Sequence, residues 1–234
     1  MKKLPILMYH NISAVDTVSR DLTISTRRLE EQLSYLKQQG YHTYHFRELE
    51  GQVEIQPKSI VLTFDDVTVN QLVYAVPLLE KYQMKATFFI PFKYIGQVDQ
   101  WNNGVEPLMD MEQLKSLPEC IELGYHSFEH RPYADMTDQQ IADDFKACNQ
   151  IIDAEELKIY PAVAYPYGNF PKKDPKRQEF FKLMRQNGMK FGLRIGNKVN
   201  RFPFENPYEI KRLDVKGQNS LSAFKFRLRF GKLF

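Results

Sequence analysis

Eight residues, Ser59-Ile60-Val61-Leu62-Thr63-Phe64-Asp65-Asp66, constrain what this chain can fold into more than any other stretch. An apolar run rich in β-branched residues reads as a buried strand. It ends in two adjacent carboxylates. Strands of α/β proteins deliver functional groups at their C-terminal ends, where the loops hold the chemistry. Neighbouring aspartates repel, so both stay ionised cheaply only where a cation or a proton is shared. The alternative is that Asp65 or Asp66 caps a following helix, a common use of aspartate.

Two later stretches bear on that choice. Gly124-Tyr125-His126-Ser127-Phe128-Glu129-His130 spaces two imidazoles at i and i+4, which on a helical turn share one face and can grip one ion. Alone, this pair is a weak motif. Ala164-Tyr165-Pro166-Tyr167-Gly168 is a Pro/Gly turn directly after an apolar run. Taken together and in this order, Thr63-Phe64-Asp65-Asp66, His126-Ser127-x-x-His130 and Pro166-Tyr167-Gly168 resemble the three motifs of the polysaccharide deacetylase (NodB-homology) family of carbohydrate esterases. The start, Ile6-Leu7-Met8-Tyr9-His10, is similar to the branch that deacetylates poly-N-acetylglucosamine. The resemblance covers nearly the whole chain and implies a distorted (β/α) barrel.

Composition sets the frame. A chain of 234 residues, 43% hydrophobic and 13% aromatic, suffices for one large core, and no linker or internal repeat divides it, so residues 1–234 read as a single domain. A net charge of +3 is small for this length and argues neither for nor against anionic partners, but no basic patch suited to DNA occurs ahead of the C-terminus, so no nucleic-acid partner is expected. Two cysteines, Cys120 and Cys148, make neither a disulfide framework nor a zinc knuckle and read as small hydrophobes. The apolar run Leu4–Tyr9 is too short for a signal peptide and no stretch is long enough to span a bilayer, so the expectation is a cytoplasmic protein.

Along the chain, strands are expected at 4–10, 41–46, 60–64, 86–90, 120–125, 161–165, 190–195 and 208–215. Helices are expected at 26–40 (capped by Thr26), 71–82 (interrupted by Pro77), 110–117, 135–152 (with Thr137 as a cap) and 172–187. This alternation argues an α/β protein with a mainly parallel sheet. The loop 96–104 reads either as a surface loop or as a wall of a substrate groove, with Trp101 able to stack on a sugar face. His42 and His45 sit beside no motif and read as structural or partly exposed. The segment 221–230 alternates but is assigned to a helix. Its Lys225, Arg227, Arg229 and Lys232, among Phe224, Phe226, Leu228, Phe230 and Phe234, suit weak peripheral contact with an anionic membrane; the competing reading has the phenylalanines closing the barrel bottom.

Hydrolysis of an N-acetyl group needs activated water, a polarised carbonyl, oxyanion stabilisation and a proton for the leaving amine. The resemblance implies Asp66, His126 and His130 as ligands of a divalent metal, with zinc suiting the nitrogen-rich set and cobalt, nickel or iron also fitting. It implies Asp65 as general base and the N–H of Tyr167 as an oxyanion donor. Tyr165, Pro166 and Trp101 are expected to line the saccharide site. The general acid is assigned to His10 at the end of the first strand, because the late-strand region Leu213-Asp214-Val215-Lys216 lacks the family's histidine. Val67 replaces the usual glycine and is expected to forbid positive φ and reshape the rim. With Ala164 in place of the family's arginine, Arg194 is the expected partner that orients Asp65. Two other classes stay open: a catalytically silent carbohydrate-binding relative, and a metal-dependent amidohydrolase acting on a non-sugar amide. No His-Glu-x-x-His peptidase motif occurs.

Overall fold

Seven short apolar strands pair in parallel in the computed structural model, which describes residues 1–232. They are β1 (Ile6–Tyr9), β2 (Ser59–Asp65), β3 (Ala86–Ile90), β4 (Ile121–Tyr125), β5 (Ile159–Ala164), β6 (Phe191–Ile195) and β7 (Ile210–Asp214). Their order is β1-β7-β6-β5-β4-β3-β2, and β2 pairs back onto β1, Ile6 opposite Val61 and Tyr9 opposite Phe64, which closes the sheet. The result is the distorted (β/α) barrel that the family resemblance implied, built from the mainly parallel sheet that the alternation of elements argued.

Closure gives each strand two apolar faces, and alternation sorts them. Ile6, Val61, Phe89, Ala162, Leu193 and Ile210 form an inner cluster, plugged by Leu4, Phe46, Leu49 and Phe202. Leu7, Tyr9, Leu62, Phe64, Phe88 and Ile90 form an outer cluster with Leu29, Leu33, Phe145 and Phe180 from the surrounding helices. Fully burying each such side chain contributes about 1.5–3 kcal/mol. Gly124 on β4 is required by the inner packing, since a Cβ there would sit 2.7 Å from the Phe89 ring and 2.9 Å from Ala162 O.

Several boundaries differ from expectation for local reasons. Pro5 splits the first strand, and Lys2–Leu4 instead pairs antiparallel with Asn200–Phe202. Ser25, not Thr26, caps the helix Thr26–Gln38, accepting from the Arg28 N–H. The segment read as one helix is a wide turn, Gln71–Ala75, leading into an α-helix, Val76–Tyr82. Pro77 lacks an N–H and its ring crowds the carbonyl one turn earlier, so the ladder widens ahead of it. Thr137 caps the helix Asp138–Glu155, as expected.

The C-terminal segment is a helix, Leu221–Phe230, capped by the Ser220 hydroxyl. Phe224 and Leu228 are buried in the outer cluster, with Phe224 against Tyr35, so these side chains pack on the barrel's flank and do not close its bottom. Arg227 is tied to Asn219 and Asn197. Phe226 and Phe230 are exposed, and their rings meet at a tilt with centroids 4.9 Å apart. Phe234 lies outside the described residues. Among the described residues, no helix is long and apolar enough to cross a membrane.

Candidate active site

β2 ends in Asp65, and the chain turns directly after it through two left-handed residues, Asp66 at φ 78° and Val67 at φ 47°. Val67 therefore does not forbid positive φ. It adopts it, with its side chain fully buried in the outer cluster. A β-branched residue in this region is strained, and burial of its side chain opposes the strain. Gln71 ties the rim together by donating to the carbonyls of Asp65 (2.6 Å) and His10 (3.0 Å) at the ends of β2 and β1.

The two histidines follow β4, but not on a helical turn. Ser127 (φ 62°) and His130 (φ 54°) are left-handed, so the chain loops back and both imidazoles face Asp66. Asp144, from the helix Asp138–Glu155, pins this loop by accepting from the Phe128 N–H (2.8 Å) and the Tyr133 hydroxyl (3.2 Å). Burial pushes the Asp144 carboxyl up to about 6, against these hydrogen bonds. His126 Nδ1 lies 2.7 Å from Ala164 O, which can only accept, so Nδ1 carries the proton and Nε2 presents a lone pair. Burial lowers the His126 pKa to about 4, which keeps the ring neutral.

Asp66, His126 and His130 are all buried, with one ligand atom of each within 4.8 Å of the others. Asp66 Oδ1 is 3.5 Å from His126 Nε2 and 3.4 Å from His130 Nε2, and it has no hydrogen-bond partner. Those separations are long for hydrogen bonds. They match the roughly 3.4 Å edge of a tetrahedron whose ligands sit about 2.1 Å from a zinc ion. An orphaned buried carboxylate oxygen faced by two imidazole nitrogens is a donor set that fits a divalent cation.

Asp65 lies beside this group but is held differently. Arg212, on β7, donates to both its oxygens, Nη1 to Oδ1 at 2.5 Å and Nη2 to Oδ2 at 2.8 Å. Since β1 separates β7 from β2, the pair spans the barrel interior, and Arg212 is 1% exposed. Burial raises the Asp65 pKa, but the Arg212 guanidinium outweighs it and holds the carboxyl far below the usual range. Arg212 takes the place expected of Arg194. Ile195 pairs with Arg212 and Arg194 with Lys211, so alternation aims Arg212 inward, while Arg194 packs over Phe170. Reading Ile210, Arg212 and Asp214 as one strand face would have revealed it.

His10 Nε2 stands 3.7 Å from Asp65 Oδ2. A cavity of about 210 Å³ opens here, lined by His10, Asp65, Asp66, Trp101, Tyr167 and Asp214 among others. Asp214 was missed because an aspartate at a strand end has no distinguishing local pattern. Tyr167 is left-handed (φ 57°) and 57% exposed, its ring edge-on to His130 at 4.9 Å. Its N–H is not among the bonds that close its turn, which run from Gly168 N to Tyr165 O and from Asn169 N to Pro166 O. Gly168 (φ 62°) has Ile195 N only 2.6 Å from where a Cβ would stand, so the turn packs against β6.

Two expected saccharide contacts are corrected. Tyr165 is fully buried, donates to Tyr208 O (3.0 Å) and packs on Tyr133, Phe170 and Phe180. It follows the inward-facing Ala164 and so points to the helix layer. Pro166 is buried beneath the turn and does not line the cavity. Trp101 does line it, stacked on the His130 ring with centroids 4.1 Å apart. His45 is structural: it is buried, with Nε2 on Cys120 O.

Comparison with known proteins finds relatives in sequence and in fold. A poly-beta-1,6-N-acetyl-D-glucosamine N-deacetylase of Staphylococcus epidermidis is 24% identical over 235 residues, covering 92% of this chain and 75% of that protein. YxkH of Bacillus subtilis, provisionally named a polysaccharide deacetylase, is 27% identical over 196 residues. That match covers 82% of this chain but only 64% of the relative's length. Two solved structures share the fold. Streptococcus pyogenes deacetylase PplD, in complex with acetate, gives a TM-score of 0.79 at 21% identity, covering 97% of this chain and 98% of that one. IcaB from Ammonifex degensii gives 0.79 at 22% identity, covering 98% of each. The polysaccharide deacetylase family model matches residues 52–192, more than half of the chain and a span that includes Asp65, Asp66, His126, His130 and Tyr167; the chain belongs to the polysaccharide deacetylase family.

Proposed function

We propose that this protein removes N-acetyl groups from an N-acetylated amino sugar, in a glycan or glycan precursor, by metal-assisted hydrolysis. The observation that carries this reading is the convergence of Asp66, His126 and His130 beside a second buried carboxylate, Asp65, held by Arg212. The N-deacetylase named for Staphylococcus epidermidis supports the substrate class, and the acetate in PplD is the acid such a reaction releases.

Asp66, His126 and His130 would hold a divalent ion, zinc suiting two imidazoles and a carboxylate, with cobalt, nickel or iron as substitutes. Such an ion supplies Lewis acidity for the acetyl carbonyl and acidifies water. The chain's own residues do the rest. Asp65 stays ionised at neutral pH, with Arg212 fixing its plane, and takes the proton from the attacking water. The Tyr167 N–H donates to the oxyanion as the carbonyl becomes tetrahedral. His10, within reach of the same carboxylate, delivers a proton to the leaving amine. Trp101 and Tyr167 form the aromatic wall of the cavity.

The test pairs metal content with turnover. Purified protein should hold about one divalent ion per chain and release acetate from N-acetylglucosamine oligomers. Asp65→Asn should keep the ion but lose roughly 10²–10⁴-fold in turnover. Metal uptake with no acetate release from any sugar oligomer would point to a non-sugar amide. Full metal occupancy in His126→Ala or His130→Ala would overturn the ligand set.

A further inference from the structure

The two histidines of the proposed metal group are held in unequal ways. His126 has its plane fixed by the bond from Nδ1 to Ala164 O. His130 Nδ1 is buried and has no hydrogen-bond partner. Metal-binding imidazoles almost always donate their second N–H, which fixes tautomer and orientation. Something else must orient His130, the more so because its backbone is left-handed.

The structure offers an aromatic clamp. Trp101 lies flat on the His130 ring, with centroids 4.1 Å apart and planes 16° apart, and Tyr167 meets the ring edge-on at 4.9 Å. Tyr94 braces the indole from its edge at 5.0 Å. The loop carrying Trp101 is itself anchored. Asp99, 3% exposed, accepts from the N–H groups of Val105 and Glu106 and from the Asn102 side chain. Antiparallel bridges join Val98 to Pro107 and Thr68 to Leu108, tying the loop's base to the turn after Asp66. A stacked pair of rings leaves the imidazole free to slide but not to rotate out of plane, the freedom that a hydrogen bond from Nδ1 removes in His126.

We infer that Trp101 is a positioning residue: its indole holds the His130 imidazole in the plane from which Nε2 faces Asp66. This rests on the ligand set proposed above. It also redefines the indole, since the face on His130 is not available to a sugar.

The test is metal affinity of the metal-free protein, read by competition against a chromophoric chelator with Zn²⁺ and by the visible absorption of bound Co²⁺. Trp101→Leu should raise the dissociation constant about 10–100-fold, the usual effect of removing an outer-shell partner. Trp101→Phe, which keeps a stacking face, should stay within about threefold of wild type, on the same grounds. Because Trp101 is the sole tryptophan, bound Co²⁺ should quench the intrinsic tryptophan fluorescence of the unmodified protein. Wild-type affinity in Trp101→Leu, equal weakening in the leucine and phenylalanine variants, or Co²⁺ binding without quenching would each overturn the inference. Wild-type protein that binds neither metal overturns the ligand set itself, and this inference falls with it.

Discussion

Replacing Arg212 with methionine in the metal-free protein should cost about 3–5 kcal/mol of unfolding free energy. The guanidinium is 1% exposed and meets both oxygens of a carboxylate that is 2% exposed. Methionine keeps most of the apolar stem, so the loss is mainly electrostatic. Unit charges about 4 Å apart at an effective dielectric near 20 interact by about 4 kcal/mol, within the range measured when one partner of a buried pair is removed. For a domain of this size the melting temperature should drop by roughly 6–20 °C. Asp65→Asn strands the guanidinium in turn, and the double variant removes the unpaired charge altogether. The two single losses should therefore exceed the loss in the double variant by roughly 2 kcal/mol or more, the coupling expected of contacting residues. Urea unfolding of the four proteins without metal measures this cycle. Additive losses, or a cost below about 1 kcal/mol for Arg212→Met, would refute the claim that this pair is a desolvated clamp.

Three further outcomes follow from the site's surroundings. Asp144 is pushed from 3.8 up to about 6. The folded state thus keeps a proton that the unfolded chain has released. Stability should fall by about 3 kcal/mol as pH rises from about 4 to about 6, and Asp144→Asn should flatten that slope in pH-dependent urea unfolding; an unchanged slope would contradict the assignment. Val67 at φ 47° reverses the usual order of glycine and alanine. Val67→Gly should be more stable than Val67→Ala by about 1 kcal/mol, where an ordinary buried position gives the opposite sign in thermal unfolding. His10→Ala should lower kcat by about 10²–10⁴-fold with metal content unchanged, and a variant with normal kcat would return His10 to a structural part.

The sequence by itself determined the alternation of strands and helices, because periodicity and caps act over a few residues: Ser59–Asp65 was readable as a buried strand and Thr137 as a cap. It also disclosed the chemistry-bearing pairs, because adjacent carboxylates and closely spaced imidazoles are unusual within a short window. What it left open depended on which face of an element each side chain takes and on contacts far apart in the chain. Arg212 reaches Asp65 across 147 positions, and only closure of the barrel makes it, not Arg194, the partner. Tyr165 and Tyr167 stand two residues apart, yet one fills the helix layer and the other faces the cavity, because the strand ends and a left-handed turn begins between them. The His126/His130 pair was recognised from helical spacing, whereas the geometry comes from a loop with two positive φ angles pinned by Asp144. Trp101 meets His130 through a loop whose path is set by the buried Asp99 carboxylate and two bridges. Tertiary structure decides these contacts because closing the sheet brings distant strand ends to one rim and burial makes every unpaired charge there costly, so partners are selected by position in space and not by neighbourhood in the chain.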